Sequence, residues 1–421
     1  MTYNVLDYGA KADGKLCTKE IQSAIDTCFL NGGGEVVIPE GAFLTGCIRL
    51  RSNVTLHLLK NAVLLGSTNP EDYVGYIEDQ IEPIPLKERD KIVSTAKKGF
   101  DLSKWHSAFP YSRWNNSLIK AVYAKNIAII GEEGSVIDGQ NCFDEIGIEE
   151  NRGPHAINMW FCEDITFKGY TLKRSANWAH AIQNSKNITV DGITVLGGHD
   201  GFDARTCDNL TIKNSTFLTG DDCIAGFDNN CVYISNCHLE SACNIFRFGG
   251  NGVVIENCTG GAPTNPKYFF RGSLSYEDRK NNLDTNSTCR SNCLNVFAYY
   301  CDERAEIRKT PGDIVLKNCH FKNPDTVVGF MFGGIFCTNR SLNNITFKNC
   351  KIEGICKSIF LYCPEYEKIT LDLTDSEIST RAGFEDINFI EGENIGNVVL
   401  ENTTLSGFSN PKIVYKTSPI I

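Results

Sequence analysis

Glu163-Asp164-Ile165-Thr166-Phe167 is followed by Lys186-Asn187-Ile188-Thr189-Val190, and then by Asp208-Asn209-Leu210-Thr211-Ile212. Asn230-Cys231-Val232-Tyr233-Ile234 and Asn251-Gly252-Val253-Val254-Ile255 continue the series. The third residues are spaced by 23, 22, 22 and 21 positions. An earlier copy is Asn126-Ile127-Ala128-Ile129; later ones begin at Asp313, Asn344, Lys368 and Asn397. Each copy is a short β-branched run, a Gly/Asn/Asp turn and a second short strand, which is a strand signature and not a helical one. A period in the low twenties with several strands per repeat predicts a parallel β-helix, in which each coil buries its apolar face on the next. Leucine-rich repeats share the period but need a Leu-rich consensus, which is absent. The Asn-Cys pairs at 236–237, 257–258, 318–319 and 349–350 recur at one phase. They are expected to form inward ladders, Asn bonding the turn and Cys acting as a small hydrophobe.

The chain of 421 residues is long enough for one all-β solenoid domain, residues 1–421. No apolar run approaches the length of a membrane span, so no membrane partner is expected. A net charge of −10 argues against nucleic acid and against an anionic membrane surface. The 19 cysteines are an odd number and many fall in strands, which favours reduced, buried thiols over a disulfide framework. Met1-Thr2-Tyr3-Asn4 carries neither a basic nor an apolar leader region, so a cytoplasmic chain, or one whose signal was removed, is expected. Oligomeric state is left open.

Ile21, Ala24, Ile25, Cys28 and Phe29 have helical spacing, with Thr18 as N-cap and Gly32-Gly33-Gly34 as the stop. A short helix here would cap the open end of the solenoid. Two stretches lack the repeat, 69–116 and 260–292, and both are rich in aromatics. Loops of that length are expected to wall a groove in which sugar rings stack.

The chemistry concentrates at one phase of the repeat. Asp200 precedes Asp221 and Asp222 by 21 and 22 residues, so consecutive coils stack the three carboxylates on one face. An acid and a base side by side on an extended surface are what glycosidic hydrolysis needs. The bland alternative is a set of solvated turn acids. Adjacent residues on a strand also point to opposite faces, so both members of the pair look outward only if the chain bends there. Asp203 is a further carboxylate on the same coil. Trp178 and His180 lie about one coil before Asp200, His155 one coil earlier, and His199 beside it. Asn244 and Arg247 lie one coil after the pair. These residues, with Arg271 from the second loop, form the candidate substrate-binding set. No Cys/His cluster has zinc spacing, so no metal or cofactor is expected.

The stretches Tyr3–Ala10 and Gly32–Pro39 resemble the N-terminus of pectin-active β-helix enzymes, and the core resembles glycoside hydrolase family 28, the polygalacturonases. That family carries Asn-Thr-Asp-Gly, Gly-Asp-Asp-Cys, Gly-His-Gly and Arg-Ile-Lys. Gly198-His199-Asp200-Gly201 stands at the first motif, and Gly220-Asp221-Asp222-Cys223 matches the second in full. The third position falls at Cys243-Asn244-Ile245, without a histidine, and no Arg-Ile-Lys is present. The resemblance implies a right-handed, pectin-lyase-like β-helix. It also implies an inverting hydrolase of pectic or related oligosaccharides. In that scheme Asp222 donates a proton to the leaving oxygen, while Asp200 and Asp221 deprotonate water. The two aromatic loops point to exo-action, and the missing histidine and basic motif to a sugar other than galacturonate, or to Arg247 and Arg271 binding its carboxylate in a different way. A β-helix polysaccharide lyase and a non-catalytic carbohydrate-binding solenoid are the rival classes.

Overall fold

The computed structural model describes residues 1–73, 81–83, 110, 112–265, 277, 292–302, 304–330, 341–363 and 368–415. Most described coils of the repeat are sets of short strands joined by bends, while Ile224–Ser235 and Asn244–Glu256 run on as single strands of 12 and 13 residues. Phe202–Arg205, Asp208–Lys213 and Thr216–Thr219 make one such coil. Each strand pairs in parallel with its counterpart one coil on. A 20-stranded sheet wraps two sides of the solenoid, a 12-stranded sheet forms another, and three strands extend the C-terminal end. The architecture is a right-handed parallel β-helix.

The repeat phase explains the core. Ile165, Ile188, Leu210, Val232, Val253, Ile314 and Ile345 stand in register from coil to coil. All are buried in one continuous cluster. Burying each contributes about 1.5–3 kcal/mol. The residue directly before this inward position, as in Asn126, Asp164, Asn187 and Asn209, sits at the corner with φ between +54° and +59°. Asn and Asp tolerate that left-handed corner better than other side chains. Their amides also bond along the axis, as Asn187 Nδ2 donates to Asp164 Oδ1 at 2.9 Å and Asn209 Nδ2 to Asn187 Oδ1 at 2.9 Å.

The Asn-Cys pairs split between the two sides of the wall. Cys237, Cys258, Cys319 and Cys350 are buried, as expected. Asn236, Asn257, Asn318 and Asn349 are exposed, in left-handed turns, and form an outer ladder instead of an inner one. Asn349 Nδ2 donates to Asn318 Oδ1 at 2.8 Å. The turn needs a positive φ, and that conformation points the amide outward. The 17 cysteines among the described residues are free thiols.

The N-terminal helix is Thr18–Leu30, with Ile21, Ala24, Ile25 and Cys28 buried. It covers the first coil, packing on Gly34–Ile38 and Ile48–Arg49. Thr18 is not its N-cap: Cys17 holds that place, and Thr18 Oγ1 accepts from Gly46 N at 2.7 Å. The hydroxyl ties the helix to a neighbouring turn. Among the described residues no helix is long and apolar enough to cross a membrane. Much of 69–116 and 260–292 lies outside the described residues, so the expected walls of the groove do as well.

Candidate active site

The acids sit where one strand of a coil ends and the next has not begun. Thr219 closes one strand and Ile224 opens another, and residues 220–223 bend between them. This bend lets both Asp221 and Asp222 face the same side. The bend at 198–201 stacks directly against it, since Gly201 N donates to Asp222 O at 2.9 Å and Gly220 N to Gly197 O at 2.8 Å. Glycine is required at this contact. A Cβ on Gly220 would stand 2.7 Å from Gly198 O, and one on Gly201 would stand 2.6 Å from the Phe217 ring. Without these close approaches the carboxylates of successive coils would be held apart.

Asp200, Asp221 and Asp222 are 2 %, 6 % and 1 % exposed. Asp222 N donates to Asp200 Oδ1 at 3.3 Å. Asp222 itself is filled with donors. Its Oδ1 accepts from Asn244 Nδ2 at 2.7 Å and Asn244 N at 3.2 Å, and its Oδ2 from Arg247 Nε. Asn244 is in turn held by Asn295 Nδ2, which donates to its Oδ1 at 2.6 Å. Arg247 also reaches Asp200 Oδ2 at 3.3 Å and Asp203 Oδ2 at 3.6 Å, and lies 4.3 Å from the Tyr300 ring centre. Its reach to Asp203 depends on register: Asp203, Ala225 and Arg247 are neighbours in one outward column, and the alanine between them leaves room. Asp203 bonds Arg205 at 2.7 Å and has no exposed surface. Asp221 pairs with Arg152 at 3.5 Å.

Four carboxylates (200, 203, 221, 222) thus meet three guanidiniums (152, 205, 247). The next acid outward, Asp302, is matched by Arg304 at 2.7 Å. In a buried site crowded with carboxylates a proton is a cheap neutraliser. Burial, then Asp221 and Asp222, push the Asp200 carboxyl well above the ordinary range. Burial also raises Asp222, while Arg247 opposes the rise. The donor set around Asp222 suits an ionised carboxylate, because all its approaches are N–H groups. Asp200 and Asp222, both raised by burial, belong to one coupled set with Asp221. Asp221, Asp222 and Cys243 also bring ligand atoms within 4.8 Å of one another. The Arg247 guanidinium already occupies the Asp222 edge of that cluster.

The aromatic candidates divide. His155 is buried between Trp178 (5.2 Å between ring centres) and Trp114 (6.2 Å). Neither of its ring nitrogens has a hydrogen-bond partner among the described residues. Burial, with Arg152 and Lys120 nearby, holds it well below the usual histidine range and therefore neutral. Arg205 lies 4.3 Å from the Trp178 ring and links this cluster to Asp203. His199 meets the Phe143 ring at 6.1 Å. His180 does not join the site. It stacks on Phe202 inside the coil, its Nε2 accepts from Tyr170 Oη at 2.9 Å, and its Nδ1 donates to Gly201 O at 2.9 Å. The fully buried ring is a core residue that props the Gly201 bend, which corrects its assignment to a sugar subsite. Arg271 lies outside the described residues.

Arg152, Arg205 and Tyr300 complete the arrangement and were missed in the sequence. Arg205 had a signal, since it stands two residues from Asp203 on one strand and so shares its face. Arg152 and Tyr300 lie in irregular segments with no repeat phase to mark them.

Residues 80–244 match the family model of glycosyl hydrolases family 28, a span that includes the three acids and ends at Asn244. An exo-poly-alpha-D-galacturonosidase of Dickeya chrysanthemi is 29 % identical over 292 residues, 61 % of this chain and 48 % of that protein. The chain spans less than half the length of the curated relatives it matches. A hyperthermoactive exopolygalacturonase from Thermotoga maritima superposes with a TM-score of 0.60 at 18 % identity, covering 99 % of this chain and 92 % of that one. PfbA, a surface adhesin of Streptococcus pneumoniae, superposes with a TM-score of 0.62 at 16 % identity, covering 100 % and 96 %. The coiled fold alone therefore does not decide an activity.

Proposed function

We propose that this chain, a divergent, polygalacturonase-like relative of glycosyl hydrolases family 28, is an inverting glycosidase that removes sugars from the ends of pectic oligosaccharides. The observation that carries the proposal is the stacked pair of bends holding Asp200 against Asp221 and Asp222, with Arg247 reaching both Asp200 and Asp222.

Asp221, the most exposed of the three, is the general acid and gives its proton to the leaving oxygen. Asp222, whose ionised form the Asn244 and Arg247 donors favour against burial, and Asp200 bind a water and take its proton as it attacks the anomeric carbon from the opposite face. Direct attack by water inverts that centre. Asn244 and Arg247 fix the orientation of Asp222, and Asp203 with Arg205 fixes Arg247. Trp178, with Trp114 and His155 beneath it, offers an aromatic wall at the edge of the acids for a sugar ring. The name of the Dickeya relative supports attack from a chain end and galacturonan as the first substrate to try.

The test is digestion of polygalacturonan and galactan, with products separated by size and the first anomer read by NMR. Small sugars from the outset, slow loss of viscosity and an inverted anomer are expected. Mid-sized oligomers with a fast viscosity drop would refute the end-directed mode, and a retained anomer would refute direct attack by water. A calcium-dependent unsaturated product would assign a lyase instead, and binding without turnover would assign a non-catalytic solenoid.

A further inference from the structure

Between the strand facing the acids and the next strand of its coil, the chain turns through a single left-handed residue. These are Tyr123, Phe161, Asn184, Thr206 and Asp228, with φ between +50° and +57°. Asn and Asp suit that corner, whereas a bulky aromatic there is a true outlier that costs on the order of 1 kcal/mol or more. Two consecutive coils nevertheless carry aromatics, since Val122 is in register with Trp160. The Tyr123 and Phe161 rings stack at 4.8 Å with planes 6° apart. They lie outside the main core, in a separate patch with Val122 and Trp160.

Beside them opens a cleft of about 440 Å³, lined among others by Tyr123, Phe161, Asn184, Thr206, Lys186 and Arg308. Its cations are matched within the protein, since Lys186 pairs with Glu163 at 2.9 Å and Arg308 with Asp208 and Asp228, both at 2.8 Å, while Glu306 adds one acid with no ion pair among the described residues. The side chains of Asn184 and Thr206 make no hydrogen bond among the described residues. The cleft thus combines an aromatic stack with neutral donors and acceptors and no unmatched cation, its one unpaired acid, Glu306, disfavouring an anionic sugar. An uncharged sugar ring has the complementary chemistry: an apolar face for the rings and hydroxyls for the amide and threonine. From Tyr123 to Thr206 the cleft runs across three coil steps, roughly 14 Å, and its last coil is the one that carries Asp200 and Asp203.

We propose that this cleft is a second, non-catalytic carbohydrate site that holds uncharged pyranose units of the polysaccharide. It rests on the polysaccharide reading above, but not on turnover. The experiment is native gel electrophoresis in gels containing galactan or polygalacturonan, comparing the wild type with a Tyr123→Asn/Phe161→Asn double variant. Asparagine is what the corner prefers, so the double variant should melt at or above the wild-type temperature. Galactan should retard the wild type, and the double variant should need about tenfold more galactan for equal retardation. Release of reducing ends from short oligosaccharides should be the same in both. Equal retardation of the two proteins, retardation by polygalacturonan alone, or a double variant that melts several degrees lower would each overturn the site. The last result would give the rings a packing role. Loss of galactan retardation in a protein that hydrolyses nothing would uphold the cleft and overturn the proposed catalysis instead.

Discussion

Replacing Arg247 by methionine removes one positive charge from four carboxylates and three guanidiniums while keeping a side chain of comparable reach. At the 3.3 Å separation from Asp200, with an effective dielectric constant near 20, the gross attraction is about 5 kcal/mol. Arg247 makes a closer contact to Asp222 and a third to Asp203 at 3.6 Å. Water entering the vacated space replaces most of this, leaving the acids about 1–2 pK units higher, or roughly 1.4–2.7 kcal/mol. The sign follows from what must be ionised. Asp222 and Asp200 accept a proton from water only as carboxylates, so the acid limb of the rate profile should move to higher pH by that 1–2 units. At a pH below the new limb the rate should fall about 10- to 100-fold. Stability should follow the same charges. Acids raised by burial penalise the fold only above the unfolded carboxyl pKa near 4, so the variant should lose about 3–5 kcal/mol at neutral pH and much less near pH 4. The assay is reducing-end release against pH, paired with thermal unfolding at pH 4 and pH 7. An unmoved acid limb, or a stability loss equal at both pH values, would refute the electrostatic role of Arg247.

Asp200→Asn should stabilise the protein at neutral pH while disabling it, because burial and two neighbouring acids make its ionised form costly. A rise of about 1–3 °C in melting temperature at pH 7, vanishing toward pH 4 where the wild-type carboxyl is protonated in both states, is expected; a lower melting temperature at pH 7 would contradict it. His180 is held down to about 4 by burial, so its neutral form contributes stability at pH 7 that is lost as the pH falls from about 6.5 through 4. That loss is worth about 3 kcal/mol. A His180→Phe/Tyr170→Phe pair removes both partners of that hydrogen bond together, and its acid limb of stability should be flatter by that amount in pH-dependent denaturant titrations; an unchanged limb would place the titrating group elsewhere.

The solenoid was legible because one inward residue per coil recurs at a period the eye can follow, from Ile165 to Ile345. The three acids were legible for the same reason, and the bend at 220–223 explains why two adjacent residues share a face that a straight strand would deny them. His180 misled because proximity along the chain was read as proximity at the site. Adding one coil of 22 residues to His180 gives Phe202, a core residue, whereas adding it to Trp178 gives Asp200. Arg247 is a substrate-binding candidate by its spacing, and the structure pairs it with acids of the protein itself. The choice of proton donor could not come from spacing, since it depends on which carboxylate the Asn244 and Arg247 donors fill.

The central claim is that Asp200, Asp221 and Asp222 together hydrolyse a glycosidic bond. It is tested most directly by measuring reducing-end release from polygalacturonan with the wild type and with Asp200→Asn, Asp221→Asn and Asp222→Asn. Each substitution should lower turnover by about 10³ or more while the circular dichroism of the coil is unchanged. Three folded variants that all turn over within a few-fold of the wild type would contradict the account.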